Sequence, residues 1–417
     1  MSKFIIRGGK QLNGKIEASG MKNAATPIIA ATLLTSEECV IENVPKISDV
    51  MRMLEILESL GARVAWTGDH EVTICTKDAD IKLLDEKSVK CMRSSILFLG
   101  PLLARFKKVS IPEPGGCIIG NRPPDTHFYA LEKLGAKVTR TNGHFNLETD
   151  GLRGTLIILP EFSVTATENL LMAASLAEGE TEIHLAAAEP HVQDLIKFLG
   201  SMGAKISGAG SHTLKISGVE KLHGARHTLI SDQIEIGTLA VAAAVTGGEV
   251  QIENVIPEHL EIILLKLQEA GVKLEVGENF LKIKPSDSLR AFRLQTMPYP
   301  GFPTDLQAPF GVLATQCNGT TLIADPLFEG RMGYIGELIK MGANAIVADP
   351  HRVIITGPTP MRGQEIKSFD LRAGATLIIA GLIASGETVI NEAEIVDRGY
   401  ERIDERLREL GADIKRI

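Results

Sequence analysis

The octet LESLGARV (residues 57–64) reads as the last turn of a helix, a glycine stop and the first residues of a strand. It recurs as LEKLGAKV (131–138), LGSMGAKI (199–206), LQEAGVKL (267–274), LIKMGANA (338–345) and LRELGADI (407–414). The glycines Gly61, Gly135, Gly203, Gly271, Gly342 and Gly411 lie 74, 68, 68, 71 and 69 residues apart, too regular a spacing for chance. Each stands where the C-terminus of a helix requires left-handed backbone.

Working outward from the first octet, Ser48 or Asp49 is placed to cap a helix whose Val50, Met53, Leu54, Leu57 and Leu60 share one face. Beyond Gly61 a strand (63–66), a turn at Thr67-Gly68-Asp69 and a second strand (71–75) form a hairpin. Later copies place the hairpin turn at Asn142–Gly143, Gly208–Gly210, Gly277–Asn279 and Asp349–Pro350. A further apolar strand precedes the helix, as at 180–185, 249–254 and 387–391. The sixth copy stops at Ile417 without its second hairpin strand, and Lys3–Arg7 is an unassigned strand able to supply it. A period near 70 exceeds the roughly 20–50 residues of common solenoids, which favours closed threefold domains over an open array. The expected fold is therefore α/β, six copies in two domains. The first spans 22–230; the second is discontinuous, 1–21 with 231–417, joined by both termini.

Composition narrows the function. A chain of 417 residues exceeds one ordinary core, and 44% hydrophobic with 23% charged residues is globular rather than disordered. Aromatics at 4% argue against stacking platforms for single-stranded nucleic acid. With 44 basic and 52 acidic residues the net charge is −8, and no basic stripe marks a nucleic-acid partner. An anionic substrate would have to be met by positive charge concentrated locally. The longest uncharged runs, such as 373–386, fall short of the roughly 18 residues of a membrane span, and the N-terminus lacks a signal-peptide core. Five scattered cysteines without a Cys-x-x-Cys pair argue against disulfides or a zinc site and for a reducing, cytoplasmic setting.

Familiar nucleotide, zinc-hydrolase and nucleophile-elbow motifs are absent. Five other stretches carry groups able to do chemistry. In GMKNAA (20–25), Lys22 can neutralise an anion and Asn23 can donate and accept, or Lys22 is a solvated lysine before a helix. In MRSS (92–95), Arg93 precedes two hydroxyls at a helix start. In PGGCIIGNRPPD (114–125), Cys117 lies in a Gly- and Pro-rich loop with Arg122 five residues on, a setting that lowers a thiol pKa; the alternative is an inert buried cysteine. In FPTD (302–305), Asp305 is a base or a turn former. Arg331, Arg372 and Arg398 occupy matching places in the second half. Each has a carboxylate nearby in sequence, so local ion pairs compete with a bidentate grip on phosphate or carboxylate. Arg406, on the terminal helix, is expected in solvent.

Taken together GMKNAA, MRSS, GGCIIGNRP, FPTD and DRGYER (397–402) resemble, in order and along the whole chain, the enolpyruvyl transferases that act on UDP-N-acetylglucosamine. The resemblance implies a two-domain inside-out α/β barrel, three repeats per domain. It implies transfer of the enolpyruvyl group of phosphoenolpyruvate to the 3-hydroxyl of UDP-N-acetylglucosamine with release of phosphate, the first committed step of peptidoglycan precursor synthesis. Two alternatives are a non-catalytic sugar-nucleotide-binding paralogue and a transferase for another alcohol. By the same resemblance Lys22, Arg122 and Arg398 would hold the phosphate, with Arg331 and Arg372 nearby. Asn23, Arg93, Arg122, Pro123, Pro124, Asp125, Thr126, Ser163 and Val164 would contact the UDP-sugar, with Leu327 beside the sugar. Asp305 would face the 3-hydroxyl and Cys117 the enol carbon, making Cys117, Asp305, Lys22 and Arg398 the catalytic set and Cys117 a target of fosfomycin. No cofactor or metal, a monomer, and a part in cell shape and division are implied. Thr165 and Gln233 stand where this group commonly has Gly and Arg.

Overall fold

The computed structural model describes residues 2–115 and 123–417; Cys117 and Arg122 lie outside the described residues. The chain divides into two compact units, residues 20–115 with 123–230, and residues 2–19 with 231–417. Each contains three small sheets.

All six repeat glycines have left-handed backbone, φ between 81° and 104°, and each ends a helix and opens a strand. The expected hairpins form. Arg63–Trp66 pairs antiparallel with Val72–Cys75, and Lys137–Thr141 with His144–Glu148 across Asn142–Gly143, both with positive φ. Lys205–Ser207, Lys273–Val276 and Asn344–Asp349 do the same with the strands that follow them. The hairpin's second strand runs antiparallel to the strand before the helix, for example Glu38–Glu42 or Glu180–His184. In five sheets a short parallel strand completes the order, whereas the sheet of Lys108–Pro112 has three strands. At the end of the chain, Asp413–Arg416 pairs with Lys3–Arg7, which pairs on its other side with Glu387–Asn391.

A second set of helices, not evident from the octets, fills the middle of each unit. Gln233–Thr246, Gln307–Gln316 and Leu371–Ile383 pack on one another and are buried around nearly their whole circumference. In the other unit Lys22–Ala31 packs on the 3₁₀ segment Arg93–Phe98, which continues into Leu99–Phe106 and contacts Val164–Ala174. A helix apolar on all sides can only be interior. The sheets, by contrast, alternate buried and exposed residues along each strand, as in Glu249–Glu253 and Glu387–Asn391, and so cover the helices with one face. Helices inside and sheets outside is the inside-out α/β arrangement; among the described residues no single sheet closes on itself.

Two expectations are overturned. The helix Ser48–Ser59 is preceded by Ile47, with no side-chain cap, so neither Ser48 nor Asp49 caps it. Arg406 is not in solvent. From the helix Ile403–Glu409 its guanidinium reaches Glu235 in the central helix, Ser19 Oγ at 3.1 Å and the carbonyl of Glu17 at 2.6 Å. Glu235, 2% exposed, also accepts from the backbone N–H of Ser19 at 2.7 Å.

Removing one member of such a buried pair strands the other. Arg406→Ala is expected to cost about 3–5 kcal/mol of stability, read as a lower urea midpoint for the unit containing residues 231–417. A midpoint within experimental error of the parent would show that Glu235 finds other compensation.

Candidate active site

In the unit of residues 20–230, Lys22 is the first residue of the helix Lys22–Ala31 and is 9% exposed. An ammonium there faces the positive end of the helix dipole, an unfavourable position unless countered. Asp49 counters it: Lys22 Nζ lies 2.8 Å from Asp49 Oδ2, and Asp49 is itself 1% exposed. The carboxylate read as a cap is thus the counter-ion of a site residue. Asn23, next along, is half-buried.

Arg93 begins the 3₁₀ segment Arg93–Phe98 and is half-buried. Its charge bears on His127, whose imidazole is pushed down to about 3, first by burial and then by Arg93. His127 therefore stays neutral at physiological pH. Its Nε2 lies 2.8 Å from Thr165 Oγ1, while its neighbour Thr126 donates to Glu161 Oε1 at 2.7 Å. These two bonds join the start of the helix Asp125–Lys133 to the start of Val164–Ala174, where Ser163 caps by accepting from Ala166 N–H. Arg93, Thr126, Ser163 and Val164 are so drawn into one neighbourhood, together with Asp125 and Pro124 at the same helix start; Pro123 and Asp125 are exposed. Thr165, where the resemblance expects glycine, supplies a hydroxyl that glycine could not.

In the unit of residues 231–417, Asp305 lies in the 3₁₀ turn Thr304–Leu306 between two guanidiniums. Arg331 Nη2 is 2.7 Å from Oδ1 and Arg372 Nε is 3.0 Å from Oδ2. Two of the carboxylates next to the arginines in sequence do other work. Asp370 caps the helix Leu371–Ile383 by accepting from Arg372 N–H and Ala373 N–H, and Asp397 pairs with Arg416 at 2.6 Å. The local ion pairs expected for Arg331 and Arg372 are replaced by one shared, distant carboxylate.

Arg372 is 4% exposed. Burial opposes its charge, but Tyr400, Asp305 and Asp232 more than offset this and hold its pKa above the ordinary range. Its Cζ lies 5.3 Å from the centre of the Tyr400 ring, and the Tyr400 hydroxyl is 3.0 Å from Thr238 Oγ1. Arg331 lies 5.1 Å from the Phe328 ring. Arg331 Nε and Arg372 Nη1 are buried without a hydrogen-bond partner among the described residues. The cluster therefore brings two guanidiniums, of the residue type that grips anions, together around one bridging carboxylate, with Asp232 as a second counter-charge. Leu327 is exposed beside it in sequence, and Arg398 ends the 3₁₀ segment Ala393–Arg398, half-buried. Gln233 opens its central helix and is 6% exposed.

Sequence reading missed Asp49, His127, Asp232, Thr238 and Tyr400. Asp49 carried a helix-start signal that pointed to another role, and Tyr400 lay inside DRGYER; the others carried none. Among the described residues no group of three or more His, Cys, Asp or Glu could hold a metal ion, and no helix is long and apolar enough to cross a membrane.

The sequence profile of the family EPSP synthase (3-phosphoshikimate 1-carboxyvinyltransferase) matches residues 6–407. UDP-N-acetylglucosamine 1-carboxyvinyltransferase of Koribacter versatilis is 46% identical, over all of this chain and 97% of its own length. The same-named protein of Acidobacterium capsulatum is 43% identical, over all of this chain and 96% of its own. UDP-N-acetylglucosamine 1-carboxyvinyltransferase 2 of Bacillus cereus is 44% identical, over all of this chain and 97% of its own. Among solved structures, the enolpyruvyl transferase NikO of Streptomyces tendae superposes with a TM-score of 0.90 at 26% identity, covering 100% of this chain and 99% of that one. EPSP synthase of Acinetobacter baumannii, with a TM-score of 0.77 at 21% identity over the full length of both chains, shares the fold. On a family profile and relatives that each run nearly end to end, the chain belongs to the EPSP synthase family of enolpyruvyl (carboxyvinyl) transferases.

Proposed function

We propose that this chain transfers the enolpyruvyl group of phosphoenolpyruvate to the 3-hydroxyl of UDP-N-acetylglucosamine and releases phosphate, the opening step of peptidoglycan precursor synthesis. The observation that carries the reading is Asp305 fixed between two buried guanidiniums, in a chain 43–46% identical to relatives bearing that enzyme's name. The reaction balances with its two substrates. A proton goes to the methylene of phosphoenolpyruvate, the alcohol oxygen bonds to the adjacent carbon and the alcohol proton leaves to a base. The methyl group then returns a proton as the carbon–phosphate oxygen bond breaks.

In this reading Asp305, an acceptor-only carboxylate held from both oxygens, takes the hydroxyl proton. Arg331 and Arg372 flank it near the anionic substrate, while Lys22, Arg122 and Arg398 hold the phosphate and stabilise it as it leaves. Asn23, Arg93, Pro123, Pro124, Asp125, Thr126, Ser163 and Val164 take the UDP-sugar, with Leu327 against the sugar. Cys117 delivers the proton to the methylene, and its thiolate is able to add to the same carbon. The enzyme then works as a cytoplasmic monomer on which cell shape and division depend through the wall precursor.

The direct test is phosphate release from phosphoenolpyruvate with and without UDP-N-acetylglucosamine. Release only with the sugar nucleotide is expected; release indifferent to it would overturn the substrate assignment. Arg398→Ala should lower kcat/KM for phosphoenolpyruvate by roughly 10- to 100-fold, the loss of a charge-assisted contact of about 1.5–3 kcal/mol. An unchanged value would remove Arg398 from the phosphate site.

Thiol labelling tests Cys117. Burial pushes the Cys39 thiol up to about 11 and the Cys317 thiol up to about 12, and Cys75 is buried, whereas Cys91 is exposed. A haloacetamide or fosfomycin should therefore spare Cys39, Cys75 and Cys317. The nucleotide should accelerate labelling at Cys117 and leave the rate at Cys91 unchanged. Cys117→Asp should keep turnover and lose fosfomycin sensitivity. Label on Cys91 alone, with Cys117 untouched, would refute the assignment.

A further inference from the structure

Asp325 follows the strand Gly319–Ala324 and is fully buried. Its main chain is pinned to His351, donating to the His351 carbonyl at 2.7 Å and sharing its own carbonyl with the imidazole Nδ1 at 2.8 Å. Its carboxylate receives three hydrogen bonds, all from neutral donors. Thr296 Oγ1 at 2.8 Å and Leu327 N–H at 3.0 Å donate to Oδ1, and Thr304 Oγ1 at 2.6 Å donates to Oδ2. A buried carboxylate is ordinarily matched by a cation; among the described residues this one has none.

The placement of those donors carries the argument. Thr304 adjoins Asp305 in the turn Thr304–Leu306, and Leu327 lies on the segment leading to Arg331. The two segments are tied three times: Thr304 to Asp325, Asp305 to Arg331, and Gln307 Nε2 to the Arg331 carbonyl at 3.1 Å. Gln307 is itself held by the Tyr334 hydroxyl at 3.1 Å. Of these ties, the one through Asp325 fixes the backbone immediately before Asp305.

We propose that Asp325 is a positioning residue for the transfer reaction: acting through Thr304, it sets the direction from which the Asp305 carboxylate meets its substrate. This rests on the functional reading above. Arg331 and Arg372 grip the Asp305 carboxylate itself; the Thr304 bond ties the backbone that carries it to the buried strand end. Misplacement of a reacting group by about 1 Å can cost on the order of 100-fold in rate.

Thr296 provides the internal control: it bonds the other oxygen of the same carboxylate, and its main-chain pairing with Phe302 ahead of the turn does not depend on its hydroxyl. Thr304→Val and Thr296→Val each delete one hydroxyl bonded to Asp325; Thr296 is fully buried and Thr304 half-buried, so Thr296→Val should lower the melting temperature at least as much. Thr304→Val is expected to reduce kcat about 10-fold or more with KM for either substrate changed by less than about threefold. Thr304→Ser should restore kcat, and Thr296→Val should keep it. In crystals, the Asp305 carboxylate should leave Arg372 Nε in Thr304→Val and stay in Thr296→Val. Equal kcat in the two valine variants, or an Asp305 unmoved in Thr304→Val, would overturn the inference. If the parent protein releases no phosphate, the reaction assignment falls, and the two crystal structures still decide the positioning of Asp305.

Discussion

Arg372 carries a charge into a place where water scarcely reaches, and the second unit is arranged around keeping it there. Transfer of an isolated guanidinium into such surroundings costs far more than a folded protein's net stability, so counter-charge is obligatory. Asp305 supplies it directly and Asp232 from the start of a central helix. Asp232 shows the reciprocal effect: burial raises its pKa and Arg372 works against that rise. Asp305 and Asp232 together match the charges of Arg331 and Arg372, so this corner of a chain whose net charge is −8 keeps two buried guanidiniums side by side.

The other unit solves the same problem with a lysine. Lys22 stands at the start of a buried helix, where the dipole disfavours a cation, and Asp49 offsets both the burial and the dipole. Burial first, and Arg93 at longer range, keep His127 neutral, so that its ring nitrogen serves a hydrogen bond to Thr165 rather than a charge. A departure from the commonly expected glycine is thereby absorbed into the scaffold that places Ser163 and Val164.

Much of this was legible. The six octets located six helix-ending glycines, and the hairpins that follow five of them, because a left-handed C-terminus and a tight turn are encoded within a few residues. The stretches around Lys22, Arg93, Asp305 and Arg398 stood out because charged residues in Gly- and Pro-rich loops are poorly explained by packing. The partners did not stand out. Asp49 looked like a cap and Arg406 like a solvated residue. A local ion pair was one of two readings for Arg372, and its carboxylate lies 67 residues away at Asp305. Asp325 carried no signal, since one acidic residue before a proline reads as a turn.

The sequence by itself therefore determined the elements, their sixfold order and the identity of the groups able to do chemistry. Each of these depends on hydrophobic period, helix ends and turn residues close together along the chain. Only the tertiary structure decided which charges meet and which apolar helices become the interior, whereas Lys3–Arg7 beside Asp413–Arg416 was already open to the sequence. Those outcomes follow from folding three repeats around a common set of central helices, which brings loops tens to hundreds of residues apart into contact. A buried charge selects its partner by distance and dielectric, and neither is written in the residues beside it.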